Sequence, residues 1–315
     1  MTGGIPGAPA STPAVVVVRA HRRFGAVEAL RGLDFVAPYG EVTGLVGPNG
    51  AGKTTLLLAM ATLLQLDTGS VRIAGHDPQT NARAVRAVMG WVPDVFGVYD
   101  NLTSWEYLRF AGECQGLGRE RAVVRATELL AVARLAEYRD QPVHVLSRGQ
   151  KQRLGFVRAL LHSPRVLLLD EPAAGLDPHS RVELRSLLRR LAGEGAAVVV
   201  SSHVLSDLEQ MADRVVFVDH GVVIGERRMT ELGPSIGVQK WRVRALDAAM
   251  LTTALTNYGL AHDVTPTGVE LEVASEEEVA QLVRRLVADG VPVVASTPVT
   301  SSLEAAYLGL TRGEG

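Results

Sequence analysis

Gly47-Pro48-Asn49-Gly50-Ala51-Gly52-Lys53-Thr54, followed by Thr55, is the stretch whose reading decides the fold. It satisfies GxxxxGK[ST] at every specified position, and its surroundings fit on both sides. Upstream, Glu41 to Val46 is an apolar run of strand length. Downstream, Lys53 to Leu64 has no glycine or proline and carries Leu56, Met60, Leu63 and Leu64 at helical spacing. The spacing has a chemical reason. Glycines let the loop curl until successive backbone N–H groups point inward at phosphate oxygens. The helix that follows directs its positive end at the same place. Lys53 then sets a charge on the β- and γ-phosphates of a nucleoside triphosphate, and the Thr54 hydroxyl is a ligand for Mg²⁺. A glycine-rich turn with an exposed lysine is the competing reading, and the flanking strand and helix count against it.

Further along, Val166-Leu167-Leu168-Leu169-Asp170-Glu171 is an apolar run ending in two acids. A strand buried on both faces that ends in a carboxylate delivers it to a fixed point. Asp170 is expected to hold Mg²⁺ through water, and Glu171 to position and deprotonate an attacking water. Phosphoryl transfer needs mainly placement and charge neutralisation, so two acids with separate duties suffice.

The rest of the chain reads outward from these two motifs. Val15 to Arg19, Met89 to Val92 and Ala196 to Val200 are strands. Thr103 to about Ala136 is helical with a break at Gly116 to Gly118. Gln150 to His162 is a helix stopped before Pro164, and Pro178 to Leu191 is a helix with proline at its start. Leu66 to Gly75 reads as two extended pieces around a turn at Asp67-Thr68-Gly69, and Val215 to Ile224 as a hairpin turning at Asp219-His220-Gly221. Alternating strands and helices predict an α/β fold with a mainly parallel sheet. After Pro234 the pattern changes. Gln239 to Arg244, Val269 to Val273 and Val291 to Thr297 are extended, Asp247 to Tyr258 is helical with Asp247 as N-cap, and Glu276 to Asp289 is an amphipathic helix. This order suggests a small α+β, ferredoxin-like appendage.

Composition sets limits. Of 315 residues 47% are hydrophobic, enough for a large and a small domain, and the formal net charge of −2 offers no basic surface for nucleic acid. The single cysteine, Cys114, allows no internal disulfide. No run reaches the ~18 to 20 apolar residues that span a bilayer. The start, MTGGIPGAPASTP, lacks the pattern of a signal peptide and reads as a flexible arm over residues 1–13.

Between the two motifs lies Leu146-Ser147-Arg148-Gly149-Gln150. With it, residues 15 to 232 resemble the ATP-binding subunits of ATP-binding-cassette (ABC) transporters. The resemblance implies a P-loop NTPase domain over 14–233, with an antiparallel β subdomain and a helical subdomain at about 95–160, and an accessory domain over 234–315. It implies ATP and Mg²⁺ as ligands. It also implies a head-to-tail pair of copies, in which Ser147, Gly149 and Gln150 of one cap the nucleotide held by the other. Ala174-Gly175-Leu176-Asp177 resembles the D-loop, Asp177 coupling the two sites. His203 resembles the switch histidine that senses the γ-phosphate and joins Lys53 and Glu171 in catalysis. Phe24 resembles the aromatic that stacks on adenine, with a core aromatic as the rival reading. Asp94 stands where the family has a glutamine that reaches Mg²⁺ and water, and Arg148 replaces the first glycine of LSGGQ. Asp94 is charged and one methylene shorter, so its direct reach to the metal is in question; acids at this place are familiar from exporter-type cassettes. Ser302 to Thr311 resembles the closing segment of cassettes paired with exporters of drugs, antibiotics or other amphipathic compounds. The expectation is therefore an export ATPase, peripheral on the inner face of the cell membrane, working through an integral membrane permease that meets it around Asp94 to Phe110. Two alternatives stand beside it: a soluble cassette ATPase of translation or DNA repair, and a low-turnover nucleotide-dependent regulator.

Overall fold

The computed structural model describes residues 12–95, 97, 101–231, 239–299 and 302–312. Most of the N-terminal arm, part of the segment proposed to meet a permease, and the join near residue 234 lie outside them. The chain divides into two compact units at Met229/Thr230.

The first unit opens with a hairpin, β1 (Val15–Phe24) and β2 (Val27–Ala37), and then β3 (Val42–Val46) leads into α1 (Lys53–Met60). There follow β4 (Thr68–Ile73), α2 (Ala82–Val88), β5 (Met89–Val92), α3 (Ser104–Cys114), α4 (Arg119–Val132) and α5 (Arg148–Ala159). The unit closes with β6 (Val166–Asp170), α6 (Pro178–Gly193), β7 (Ala197–Ser201), the short α7 (Leu205–Glu209), β8 (Arg214–Asp219) and β9 (Val222–Arg228). Six strands form one sheet in the order β5-β6-β7-β3-β8-β9, parallel except for the antiparallel edge strand β9. Its central strands VTGLV, VLLLD and AVVVS are buried at every residue, as a sheet covered on both faces requires. A separate antiparallel sheet, β2-β1-β4, alternates buried and exposed positions, because only one of its faces is packed.

Local chemistry explains the helical insert. Thr103 and Glu106 form a reciprocal capping box: the Thr103 hydroxyl accepts from the Glu106 amide at 3.2 Å and the Glu106 carboxylate accepts from the Thr103 amide at 2.9 Å. Gly112 lets α3 approach α4, since a methyl there would lie 3.3 Å from the Ala122 Cβ.

Three readings of the sequence are corrected. The helix after the glycine loop ends at Met60, not Leu64; Thr62 takes φ +66°, and the amides of Leu63 and Leu64 both turn back to the Leu58 carbonyl. Asp67-Thr68-Gly69 is not a turn between strands: β4 starts at Thr68 directly after Asp67 and pairs with β1 across an irregularity between Val18 and His21. Gly69 is needed there, because a Cβ would sit 2.2 Å from the Arg19 carbonyl oxygen. Strand β2, absent from the reading above, supplies the buried Leu30, Leu33, Phe35 and Ala37.

The second unit contains β10 (Gln239–Ala245), α8 (Ala248–Asn257), β11 (His262–Thr265), β12 (Gly268–Val273), α9 (Glu276–Ala288), β13 (Val293–Pro298) and α10 (Ser302–Arg312). Its sheet runs β11-β12-β10-β13, antiparallel throughout, with one helix in each β–β crossover, the ferredoxin-like arrangement. Asp247 caps α8 through the amides of Ala249 and Met250. Trp241, Val243, Leu251, Leu255, Leu271 and Leu286 fill its core.

Candidate functional site

The site forms where β3 runs out. Gly47 follows its last residue, and a Cβ there would sit 2.0 Å from the Val218 carbonyl oxygen, so no other residue fits. Pro48, Asn49 and Gly50 are exposed; Ala51 and Gly52 are buried. Gly52 takes φ +106° and faces the Ala29 carbonyl, which a Cβ would meet at 2.6 Å. The loop is thus pressed between β2 and the β8–β9 turn while its outer rim stays open. Lys53 begins α1 and is buried, its ammonium donating to the carbonyl oxygens of Gly47 at 2.6 Å and Pro48 at 3.0 Å. Burial lowers its pKa from the ordinary lysine value, and the nearby carboxylates Glu171 and Asp170 act in the opposite direction. Thr54 is exposed and Thr55 half-buried on the same helical turn.

Asp170 and Glu171 arrive from the neighbouring end of β6. The Thr54 hydroxyl donates to one Asp170 oxygen at 2.9 Å, and the Ser201 hydroxyl donates to the other at 2.5 Å. The Ser201 oxygen in turn accepts from the Glu171 amide at 3.0 Å. Glu171 takes φ +47°, a left-handed conformation costing roughly 1–2 kcal/mol in a residue with a Cβ. Its carboxylate lies 2.9 Å from His203 Nδ1, just beyond the end of β7. Phosphate loop, two acids, serine and histidine are therefore one connected chain of contacts. The pair of hard oxygen donors, Thr54 and Asp170, suits a small hard dication. Among the described residues no cluster of three or more His, Cys, Asp or Glu could hold a metal unaided. Such a donor set matches Mg²⁺, which keeps waters and substrate phosphates in its shell.

Ser147, Gly149, Gln150 and Asp177 form a second group. Ser147 caps α5 by accepting from the Gln150 amide at 3.3 Å, while the Gln150 side chain accepts from the Ser147 amide at 2.7 Å. Asp177 caps α6; the Ser180 hydroxyl at 2.6 Å and the Ser180 amide at 3.0 Å hold its carboxyl below the usual range. The replacement of glycine by Arg148 has a structural answer. Its side chain lies over Gly175, where a Cβ would stand 2.9 Å from the Arg148 Nε. The first turn of α5 is thereby packed on the segment leading into α6. Among the described residues no hydrogen bond joins this group to Gly47–Thr54.

Phe24 and Asp94 stand apart. Phe24 ends β1, is 47% exposed, and carries the Arg22 guanidinium 4.7 Å from its ring centroid. It is a surface aromatic and not part of the core. Asp94 is exposed two residues beyond β5 and makes no hydrogen bond or ion pair to the described residues.

Two participants escaped the sequence reading. Ser201 joins both acids, and aligning VLLLD with AVVVS as adjacent parallel strands would have set it opposite Asp170. Arg181 donates to the Leu176 carbonyl at 3.2 Å and lies 3.9 Å from the buried Asp207 of α7, which also pairs with Arg185. It ties the segment before α6 to the one after His203, and no local motif announces it.

A family model described as ABC transporter matches residues 30–174. The daunorubicin resistance ATP-binding protein DrrA3 of Streptomyces coeruleorubidus is 38% identical over 242 residues, 77% of this chain and 77% of the relative. The daunorubicin/doxorubicin resistance ATP-binding protein DrrA of Streptomyces peucetius is 33% identical over 294 residues, 91% of this chain and 89% of the relative. Among solved structures, an ATP-binding subunit of an ABC transporter superposes with TM-score 0.65 at 28% identity, covering 70% of this chain and 91% of that one. A dimeric post-hydrolysis state of an ATP-binding cassette with ADP and Pi superposes with TM-score 0.63 at 26% identity, covering 68% and 98%.

Proposed function

The chain belongs to the ABC transporter family as an ATP-binding, ATP-hydrolysing subunit, and from that premise we propose that it drives export of a drug-like or other amphipathic compound through a separate membrane permease. The observation that carries the reading is the contact chain Thr54–Asp170–Ser201–Glu171–His203, set against the glycine loop and Lys53. The drug-resistance names of the relatives support the exporter class. Among the described residues no helix is long and apolar enough to cross a membrane.

In this reading the loop amides of Gly50 to Thr54 and the positive end of α1 hold the triphosphate. Lys53 exchanges its bonds to the Gly47 and Pro48 carbonyls for bonds to the β- and γ-phosphates, and Phe24 offers its exposed ring to adenine. Thr54 and Asp170 would hold Mg²⁺, which would supply neutralisation of phosphate charge, and Asp94 would join that shell through water. Glu171 takes the proton of the attacking water, and the 2.9 Å contact with His203 fixes the direction its carboxylate faces. Ser147, Gly149 and Gln150 of a second, head-to-tail copy close over the γ-phosphate, and Asp177 links the paired sites. Binding then favours a closed pair through contacts that the open pair lacks, and hydrolysis releases it. The permease meets the segment around Asp94 to Phe110 and holds the protein at the inner face of the membrane. The role of residues 234–315 as an accessory domain belongs to the same proposal.

The test is Glu171→Gln, which keeps the shape and removes the base. We expect ATP binding to persist, a dimer to be trapped in ATP, and hydrolysis to fall by about two to four orders of magnitude. Unchanged turnover would remove Glu171 from this role. Asp94, exposed and without a hydrogen bond or ion pair to the described residues, favours one second reading, a low-turnover regulator; steady-state hydrolysis near zero in membranes carrying the permease would select it.

A further inference from the structure

Within the first unit, a cavity of about 300 Å³ lies between α5 and the end of α4 on one side and α6 on the other. That volume sits at the lower end of the range for small-molecule pockets. Much of its wall is apolar, with Val132 from α4, Phe156 and Val157 from α5, and Leu184 and Leu187 from α6, and Gln152, Ser180 and Ser186 add neutral polar groups. Its charges do not balance. Arg134 and Glu183 neutralise one another at 2.6 Å, with His179 3.0 Å from the same carboxylate. That leaves two guanidinium groups without an acid among the described residues. The Arg153 Nε is buried with no hydrogen-bond partner, and the rest of that group makes only a 3.4 Å contact with the Ala133 carbonyl. Arg190, across the cavity on α6, is exposed and makes no hydrogen bond or ion pair to the described residues. A buried N–H without an acceptor in a well-packed protein calls for an explanation. A cavity with an apolar body and two guanidinium groups that no carboxylate pairs matches one class of molecule.

We infer that this cavity binds a small amphipathic anion, with an apolar body between Val157 and Leu187 and a carboxylate, sulfonate or phosphate head against Arg153 and Arg190. Leu176 and Ser180, at the head of α6, also line it. An occupant therefore stands between the helix capped by Ser147 and the helix capped by Asp177. It sets the spacing of the two elements through which the paired copies address each other, so the site regulates hydrolysis. That last step rests on the proposed function; binding itself does not.

The test titrates the full chain with 1-anilinonaphthalene-8-sulfonate, followed by fluorescence, and with the neutral N-phenyl-1-naphthylamine. Leu187→Trp fills the chamber, and Ser186→Trp, on the exposed side of α6, covers its mouth should the first variant fold poorly. Either is expected to weaken both probes about ten-fold or more by occupying their space. Arg190→Gln is expected to weaken the sulfonate about three- to ten-fold, limited by exposure, and to leave the neutral probe unchanged. Saturating sulfonate should change steady-state hydrolysis at least about two-fold in the native chain and not in the filled variant. Non-saturable binding, or affinity indifferent to both tryptophans, overturns the site; equal effects of Arg190→Gln on the two probes overturn the anion assignment. Binding as expected with no hydrolysis under any condition would sink the ATPase reading and leave the site standing.

Discussion

Replacing Ser201 with alanine removes one oxygen that performs two tasks. It ends the 2.5 Å bond to Asp170 and leaves the Glu171 amide without the acceptor it has at 3.0 Å. Ser201 is fully buried, so water does not replace either bond cheaply. A hydrogen bond to a charged group contributes about 1.5–3 kcal/mol, and a stranded buried N–H costs about 1–3 kcal/mol. The two overlap in one network, so a combined loss of about 2–4 kcal/mol is expected, short of a typical total stability of roughly 5–15 kcal/mol. The variant should fold and melt lower by roughly 5–15 °C. The share that bears on chemistry is the orientation of Asp170 and of the strained Glu171. If the charged bond is used in full in the transition state, turnover falls about ten- to hundred-fold. The assay is steady-state phosphate release with saturating ATP, beside a thermal melt and nucleotide affinity. Loss of turnover in a folded protein that still binds ATP fits the reasoning, and Ser201→Thr, which returns the hydroxyl, should recover most of it. Turnover of Ser201→Ala within two-fold of the native protein would refute it.

The contact of Arg148 with Gly175 is tested by a double-mutant cycle. Gly175→Ala places a methyl at φ +75° and 2.9 Å from the Arg148 Nε, and should cost about 1–3 kcal/mol in urea unfolding; in an Arg148→Ala background the steric share should vanish, and additive losses would show the two side chains do not meet. His162 supplies a pH dependence. Burial lowers its pKa below the ordinary histidine value, the Nε2–H bond to the Met89 carbonyl at 3.0 Å opposes this, and Arg125 adds to the lowering. Between its folded pKa and about 6.5 the unfolded chain binds more protons than the folded one, so stability rises with pH through that window and is lost as pH falls through it. Thermal melts from pH 5 to 7.5 should show this slope flattened in His162→Gln, and an unaltered slope would assign it to other groups.

Legibility along the chain followed the range of the forces involved. Met89 to Val92, the Gly116–Gly118 break and the Asp247 cap could be placed because they depend on neighbours within a few residues. The end of α1 and the start of β4 were misplaced because they depend on partners far away: Gly69 is admitted into a strand only because the Arg19 carbonyl stands where a Cβ would be. Strand β2 was missed although Leu33, Phe35 and Ala37 alternate, since the intervening Arg31, Asp34 and turn-like Gly32 obscure the pattern. Arg148 could be seen as a departure but not explained, as its contact is with a residue 27 positions on.

The glycine spacing of Gly47 to Thr54 and the apolar strand ending in Asp170 and Glu171 are properties of composition and order, and they were enough to name a nucleotide-handling α/β protein. Which groups touch is another matter. That Thr54, Asp170, Ser201 and Glu171 are joined by hydrogen bonds, with His203 in contact with the Glu171 carboxylate, depends on parallel strands laying the ends of β3, β6 and β7 side by side. The chamber between α5 and α6, with its unmatched arginines, depends on how helices far apart in sequence pack. Residue order specifies each element through short-range preferences; the distances between elements are set only when their buried faces meet.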